Sequence, residues 1–172
     1  IVQRKQAEEA LRESEARFKT LAQAMPNQVW SATPDGKLDW FNDQVFSYSG
    51  LGFDDLGGSR WAQMVHPDDI GAAAGGWAGA IEAGQQYQVE FRLRRADGAW
   101  RWHLARAVPI RDTSGTITRW IGSNTDIDDR KASEAQQQLL ARELEHRMKN
   151  TMAMVGAIAN QTFRTAATKE DA

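Results

Sequence analysis

The sequence predicts an α+β chain in which a mostly antiparallel sheet with small flanking helices lies between an N-terminal helix and a long C-terminal helix. Three observations carry this. Both ends hold long polar stretches rich in helix formers, the first with no Gly or Pro and the second with none before Gly156. The middle is punctuated by Pro34-Asp35-Gly36, Asp97-Gly98 and Ser114-Gly115, which suit turns. Around those points apolar and polar residues alternate with the two-residue period of strands.

In order along the chain, residues 1–25 read as one helix, with Leu11, Phe18, Leu21 and Met25 as its apolar stripe. Glu8–Arg12, Glu13–Arg17 and Glu15–Lys19 have the acid four residues ahead of the base, an orientation that supports an exposed helix. Pro26 ends it. "VWSATPDGKLDWF" predicts strand, turn, strand, and residues 43–65 predict short Gly-punctuated elements. In "HPDDI" Pro67 suits the first helical position, with Asp68 and Asp69 at the positive end of the dipole. The helix beyond it carries enough glycine to be either weak or tightly packed. "YQVEFRLRRADGAWRWHLARAVPI" reads as a hairpin about Asp97-Gly98, and "DTSG" turns the chain into a last strand. From Ile127 the composition is helical again, with Asp126 as its N-cap and Asp128 and Asp129 in the first turn.

Composition narrows the function. With no cysteine among 172 residues, thiol catalysis, Cys-ligated metal sites and cysteinyl–flavin adducts are excluded. A net charge of −2 argues against a dedicated nucleic-acid binder. Strand alternation disperses the arginines of Arg92–Arg106, so a solvated sheet face or protein interface is expected there instead. No metal site is expected, and no apolar run reaches membrane-spanning length. The expected compartment is the cytoplasm, with any anchor elsewhere in a parent protein. Ile1-x-x-Arg4-Lys5-x-x-Glu8 recurs as Ile127-x-x-Arg130-Lys131-x-x-Glu134. The chain therefore reads as an excised piece that starts at the exit of a similar upstream domain. The expected organisation is a linker helix over 1–17, a domain over 18–126, and a signalling helix over 127–172.

"ARFKTL", "TPDG" followed by "WFN", "HPDD", "EFRLRRADGAWRW" and "DIDDR" together resemble a PAS domain over roughly residues 16–130. The resemblance implies a five-stranded antiparallel sheet and a sensory or dimerising module that signals through its C-terminal helix. Asp128 stands where the family ends in Asp-Ile-Thr. Trp30, Phe46, Trp61 and Met64 are the candidate pocket residues, and their plainer reading is core. Haem is not expected: His66 is explained by its helix start, and His103, opposite Trp100, Trp102 and Leu104 on its strand, reads as a surface or interface residue. The pocket contents stay open, and a fully packed relay competes with a ligand sensor.

In the last helix Leu144, Met148, Thr151, Val155, Ile158 and Thr162 follow 4-3-4-3-4 spacing, a bundle-forming seam. His146 then takes an f position, held rigidly yet reachable. "ELEHRMKNTMAMVGAIANQTFR" resembles the H-box of bacterial sensor histidine kinases of the HWE type through Leu144, His146, Arg147, Lys149, Asn150, Ala157, Ile158, Ala159, Gln161 and Thr162. The resemblance implies that His146 is the phosphoacceptor, supported by Glu145, Arg147, Lys149 and Asn150. It also implies a homodimer through the N- and C-terminal helices, a response-regulator aspartate as partner, and ATP and Mg bound by a catalytic domain of the parent chain. No Gly-rich nucleotide lid accompanies the H-box here, so this piece is not expected to bind ATP. Coupling is expected near Asp126 and Arg130. The competing functions are a PAS relay feeding another output, and a cofactor-bearing light or gas sensor.

Overall fold

Gly36, Gly98 and Gly115 all take positive φ, 87°, 87° and 86°, so the three punctuated segments become the turns their residues suit. The structure, a computed structural model, describes the backbone of residues 1–170 and the side chains of residues 1–161. It divides into two units, Ile1–Asp128 and Asp129–Ala172. In the first, helix α1 (Val2–Ala24) leads to β1 (Gln28–Ala32) and β2 (Leu38–Phe41). Short helices α2 (Asp43–Ser49) and α3 (Phe53–Leu56) and two 3-10 turns precede α4 (Ile70–Ala83). Strands β3 (Tyr87–Arg94), β4 (Trp100–Arg111) and β5 (Ile117–Asp126) complete a five-stranded sheet of order β2-β1-β5-β4-β3. Every pairing is antiparallel. The first and last strands are thus central neighbours, with Gln28 opposite Asn124.

The "HPDD" helix start forms as its residues require. The His66 ring accepts from the Asp68 amide at 3.2 Å, and Pro67 opens the turn that leads into α4. Asp69 does more than favour the dipole. Its carboxylate receives the Arg92 backbone amide and both arms of the Arg92 guanidinium at 2.8–2.9 Å, tying α4 to β3 and holding the Asp69 pKa below the ordinary carboxylate value. The Arg92 guanidinium also lies 5.1 Å from the Trp102 ring centre.

The glycines of α4 are not close-packed: a Cβ at Gly71, Gly75 or Gly79 would meet nothing within 4 Å, and only Gly76 faces Tyr87. Trp77 is the anchor of the helix, meeting Trp30, Trp120 and Tyr87 edge-on at 5.5, 5.2 and 5.2 Å between ring centres. Its indole N–H donates to the Gly36 carbonyl at 2.9 Å, which pins the β1–β2 turn over the helix. Tyr87 donates to the Ala73 carbonyl at 3.0 Å, and burial pushes its phenol pKa upward.

The α1 stripe is largely open: Leu11, Leu21 and Met25 are exposed. Only the last turns dock, through Phe18 against Trp40 at 5.7 Å and through buried Ala22. Within α1, Glu13 pairs with Arg17 as its spacing predicts, whereas Glu8 pairs with Arg4. One sequence expectation, His103 as a surface or interface residue, is corrected. His103 is 1% exposed on the inward face of β4 with Ala105 and Ala107, while Trp100 is exposed and Trp102 and Leu104 are half-buried on the other side. The interior is already filled by Trp30, Trp77 and Trp120, so the strand turns its small residues inward. Available volume, not hydrophobicity, decides the face.

Candidate functional site

Two places in the molecule concern function, one in each unit. The first lies between the sheet and helices α2–α4. Trp30, Trp61 and Met64 line a cavity of about 40 Å³ together with Phe41, Trp77 and Asn124. Phe46, the fourth candidate, packs behind Phe41 with ring centres 5.9 Å apart and is absent from the lining. Trp30 lies so close to β5 that a Cβ on Gly122 would stand 2.3 Å from its ring. Its indole N–H donates to Asn124 Oδ1 at 3.1 Å. Asn124 Nδ2 in turn donates to Gln28 Oε1 at 3.2 Å. No buried side-chain polar atom among the described residues lacks a partner, so the cavity presents an apolar wall with its hydrogen bonds already made.

At the end of β5, Asp126 accepts from Arg101 Nε at 2.7 Å and from the Asp128 amide at 3.0 Å. Asp126 is therefore the last strand residue, and its carboxylate serves the first helical amide. Asp128, at the start of α5 (Asp128–Glu170), accepts the Trp102 amide at 3.0 Å, and its carboxylate lies 3.8 Å from Arg101. Ile127 donates to the Trp102 carbonyl at 2.8 Å. Strand end and helix start are thus held by β4. Arg130, in the second unit, pairs along the helix with Glu134 at 3.3 Å. That bond and Arg4–Glu8 occupy matching positions of the repeated motif.

The second place is the helix α5. Leu144, Met148, Val155 and Ile158 are all more than half exposed, as a seam without its partner must be. Thr151 lies on the same line and bonds back to the Arg147 carbonyl at 2.9 Å; the side chain of Thr162 lies outside the described residues. At 100° per residue His146 stands about 200° round from Leu144, away from the seam. Around it the charges pair along the helix: Glu143 with Arg147 at 2.8 Å and Glu145 with Lys149 at 2.7 Å. Glu145 is therefore turned to Lys149. The group that reaches the imidazole is Asn150, whose Nδ2 lies 3.4 Å from His146 Nδ1. One helical turn separates them, which is why the spacing brings them together.

Against known proteins, the PAS fold model matches residues 38–124. The chain belongs to the PAS family. The HWE histidine kinase model matches residues 143–172, a segment that includes His146. The peroxide stress-activated histidine kinase mak1 of Schizosaccharomyces pombe is 32% identical over 122 residues, 70% of this chain and 7% of the kinase. A blue-light-activated histidine kinase of Brucella anthropi is 39% identical over 87 residues, 51% of this chain and 17% of that protein. The chain thus spans less than a fifth of these curated relatives. An RNA-binding light-oxygen-voltage receptor superposes with a TM-score of 0.61 at 21% identity, over 74% of this chain and 37% of the receptor, and shows the shared fold.

Sequence reasoning missed four polar residues of the PAS domain. Asn42 is fully buried. Its Oδ1 accepts the Val29 amide, and its Nδ2 donates to the carbonyls of Ala22 and Asn27, each at 2.9 Å. The "WFN" motif contained it, yet nothing in the motif said where the amide points. Gln28, His103 and Asn124 meet across β1, β4 and β5 at sequence separations of 75 and 96, which no local pattern reveals. Among the described residues no helix is long and apolar enough to cross a membrane, and no group of three or more His, Cys, Asp or Glu is placed to hold a metal.

Proposed function

We propose that this chain is the sensory and phosphoacceptor part of a two-component histidine kinase. Its linker helix spans 1–17, its PAS domain 18–126, and its signalling and phosphoacceptor helix 127–172. The observation that carries this is His146, turned away from the seam of α5 and lying within the segment that matches the HWE kinase model. A neutral imidazole nitrogen attacks the γ-phosphorus of ATP held by a catalytic domain. The N–P bond forms as the bond to the ADP oxygen breaks, and the phosphoryl group then passes to a response-regulator aspartate. Asn150 faces Nδ1, so Nε2 is the nitrogen left to react. A half-turn of the Asn150 amide puts its oxygen against Nδ1–H and keeps the lone pair on Nε2. Arg147 and Lys149, each balanced by a glutamate one turn away, hold the helix surface and are available to phosphate oxygens. The exposed seam supports a parallel homodimer, and the reaction belongs in the cytoplasm, where ATP and response regulators meet.

The interior of the PAS domain favours a packed relay over a cofactor carrier. Ligand pockets run to roughly 300–1,000 Å³, and this cavity is about 40 Å³ because Trp30 and Trp77 fill the space. The chain has no cysteine for a flavin adduct.

The test uses the parent chain with labelled ATP. Label that is acid-labile and base-stable is expected on the parent and absent from His146→Gln. Equal labelling of both, or none in either despite bound ATP, refutes the reading. Coupling is proposed to run through the start of α5, near Asp126 and Arg130. One residue inserted within Gln136–Gln138 turns the remainder of α5 by about 100°, and should change the labelling rate severalfold. An unchanged rate would rule out a rotating helix.

A further inference from the structure

The buried polar groups of the PAS domain form a directed chain. Trp30 Nε1–H donates to Asn124 Oδ1, and Asn124 Nδ2–H donates to Gln28 Oε1. Gln28 Nε2 lies 3.4 Å from His103 Nε2, and His103 Nδ1 lies 3.0 Å from the Arg101 carbonyl. A carbonyl only accepts, so Nδ1 carries the proton and Nε2 receives the Gln28 amide. Every bond therefore runs the same way, from the cavity wall to the backbone beside the Arg101–Asp126–Asp128 cluster. One end, an indole, can only donate. The other end, a carbonyl, can only accept.

We propose that His103 is a proton switch that reverses this chain and releases the Trp30 indole at the cavity wall. A proton added at Nε2 turns an acceptor into a donor facing the Gln28 amide nitrogen. Gln28 must turn over to present its oxygen, and Asn124 must follow to present its own oxygen to Gln28. Asn124 then offers Nδ2 to Trp30, donor against donor. An indole cannot invert its role, so Trp30 loses its acceptor and the strain emerges in the cavity. By reciprocity, a small molecule that accepts from the Trp30 N–H favours protonated His103.

The surroundings set the response. On β5 the Asp126 carboxylate stands at the paired position, and Asp128 lies at the start of α5; both favour the cation. On its own strand Arg101 opposes it. From α2 comes Tyr48, its ring centre 5.0 Å away and its phenol neutral, since burial pushes its pKa up to about 12. From β3 the neutral Phe91 is paired opposite, and β1 supplies neutral Gln28. Burial prevails and holds the His103 pKa below 6.5. The unfolded chain thus takes up this proton at higher pH than the folded one. Stability is complete above 6.5 and is lost as pH falls toward the lowered folded value.

The test is an NMR titration of the 172-residue chain with ¹⁵N-labelled tryptophan, from about pH 8 to about pH 5. Trp30→Phe assigns the Trp30 indole resonance, and the His103 ring is followed in the same samples. The Trp30 indole proton is expected to move upfield with the midpoint of the His103 ring, and to keep that shift in His66→Gln. In His103→Gln it is expected to be flat. A Trp30 signal that stays still while His103 titrates overturns the proposal. So does a shift that survives His103→Gln, or a His103 that takes no proton before the domain unfolds. The unsubstituted titration decides the matter even if His103→Gln fails to fold.

Discussion

Trp77→Ala is expected to destabilise the PAS domain by about 3–5 kcal/mol, the range for emptying a buried large aromatic site. Its ring is the shared neighbour of Trp30, Trp120 and Tyr87, so deletion removes three edge-on contacts together. The Gly36 carbonyl loses its indole donor as well. Collapse into the space is limited because the flanking rings keep anchors of their own: Trp30 on Asn124, Trp120 on the Pro34 carbonyl and Tyr87 on the Ala73 carbonyl. With total stabilities of roughly 5–15 kcal/mol, the variant should unfold at a much lower urea midpoint, while Trp77→Phe should lose distinctly less. A midpoint for Trp77→Ala within about 1 kcal/mol of the parent would show that the aromatic cluster is not the centre of the core.

Asn42→Ala is expected to cost about 3 kcal/mol through a different mechanism. The amide touches no cavity; it satisfies three backbone groups belonging to the end of α1, to the residue before β1, and to β1 itself. Truncation leaves those buried groups unpaired at about 1–3 kcal/mol each, partly relieved by water reaching the site. Asn42→Asp keeps the size but sets a carboxylate against the carbonyls of Ala22 and Asn27, and should be no better. Hydrogen exchange separates this loss from a general one. The Val29 amide should lose protection in Asn42→Ala beyond the global change. Protection reduced only in step with global stability would contradict the assignment.

The turns and the His66 helix start were legible because each depends on a residue whose backbone or ring permits one local geometry. Gly36, Gly98 and Gly115 needed no knowledge of the rest of the chain. The inward face of β4 was illegible for the opposite reason. In "RWHLARAV" the large apolar residues share a face, and amphipathicity alone assigns that face to the core. Which side has room is decided by Trp77 and Trp120, from elsewhere in the sequence. The H-box was legible because its residues lie within a few helical turns. Even there, the partner of the ring was not: Glu145 stands next to His146 in sequence but reaches Lys149, and Asn150, four residues on, reaches the imidazole. Adjacency in a helix points side chains apart; a full turn brings them together.

The pairing of β1 with β5 at the middle of the sheet also sets when the domain can fold. Residues about 96 positions apart must meet before the central ladder exists, so its closure comes late and is slow relative to the β3–β4 hairpin. During synthesis, β1 and β2 have no central neighbour until β5 has left the ribosome. The emerging chain must carry exposed Val29, Trp30 and Phe41 for that whole interval, and a message interrupted before Asn124 yields a chain with no completed sheet to protect it.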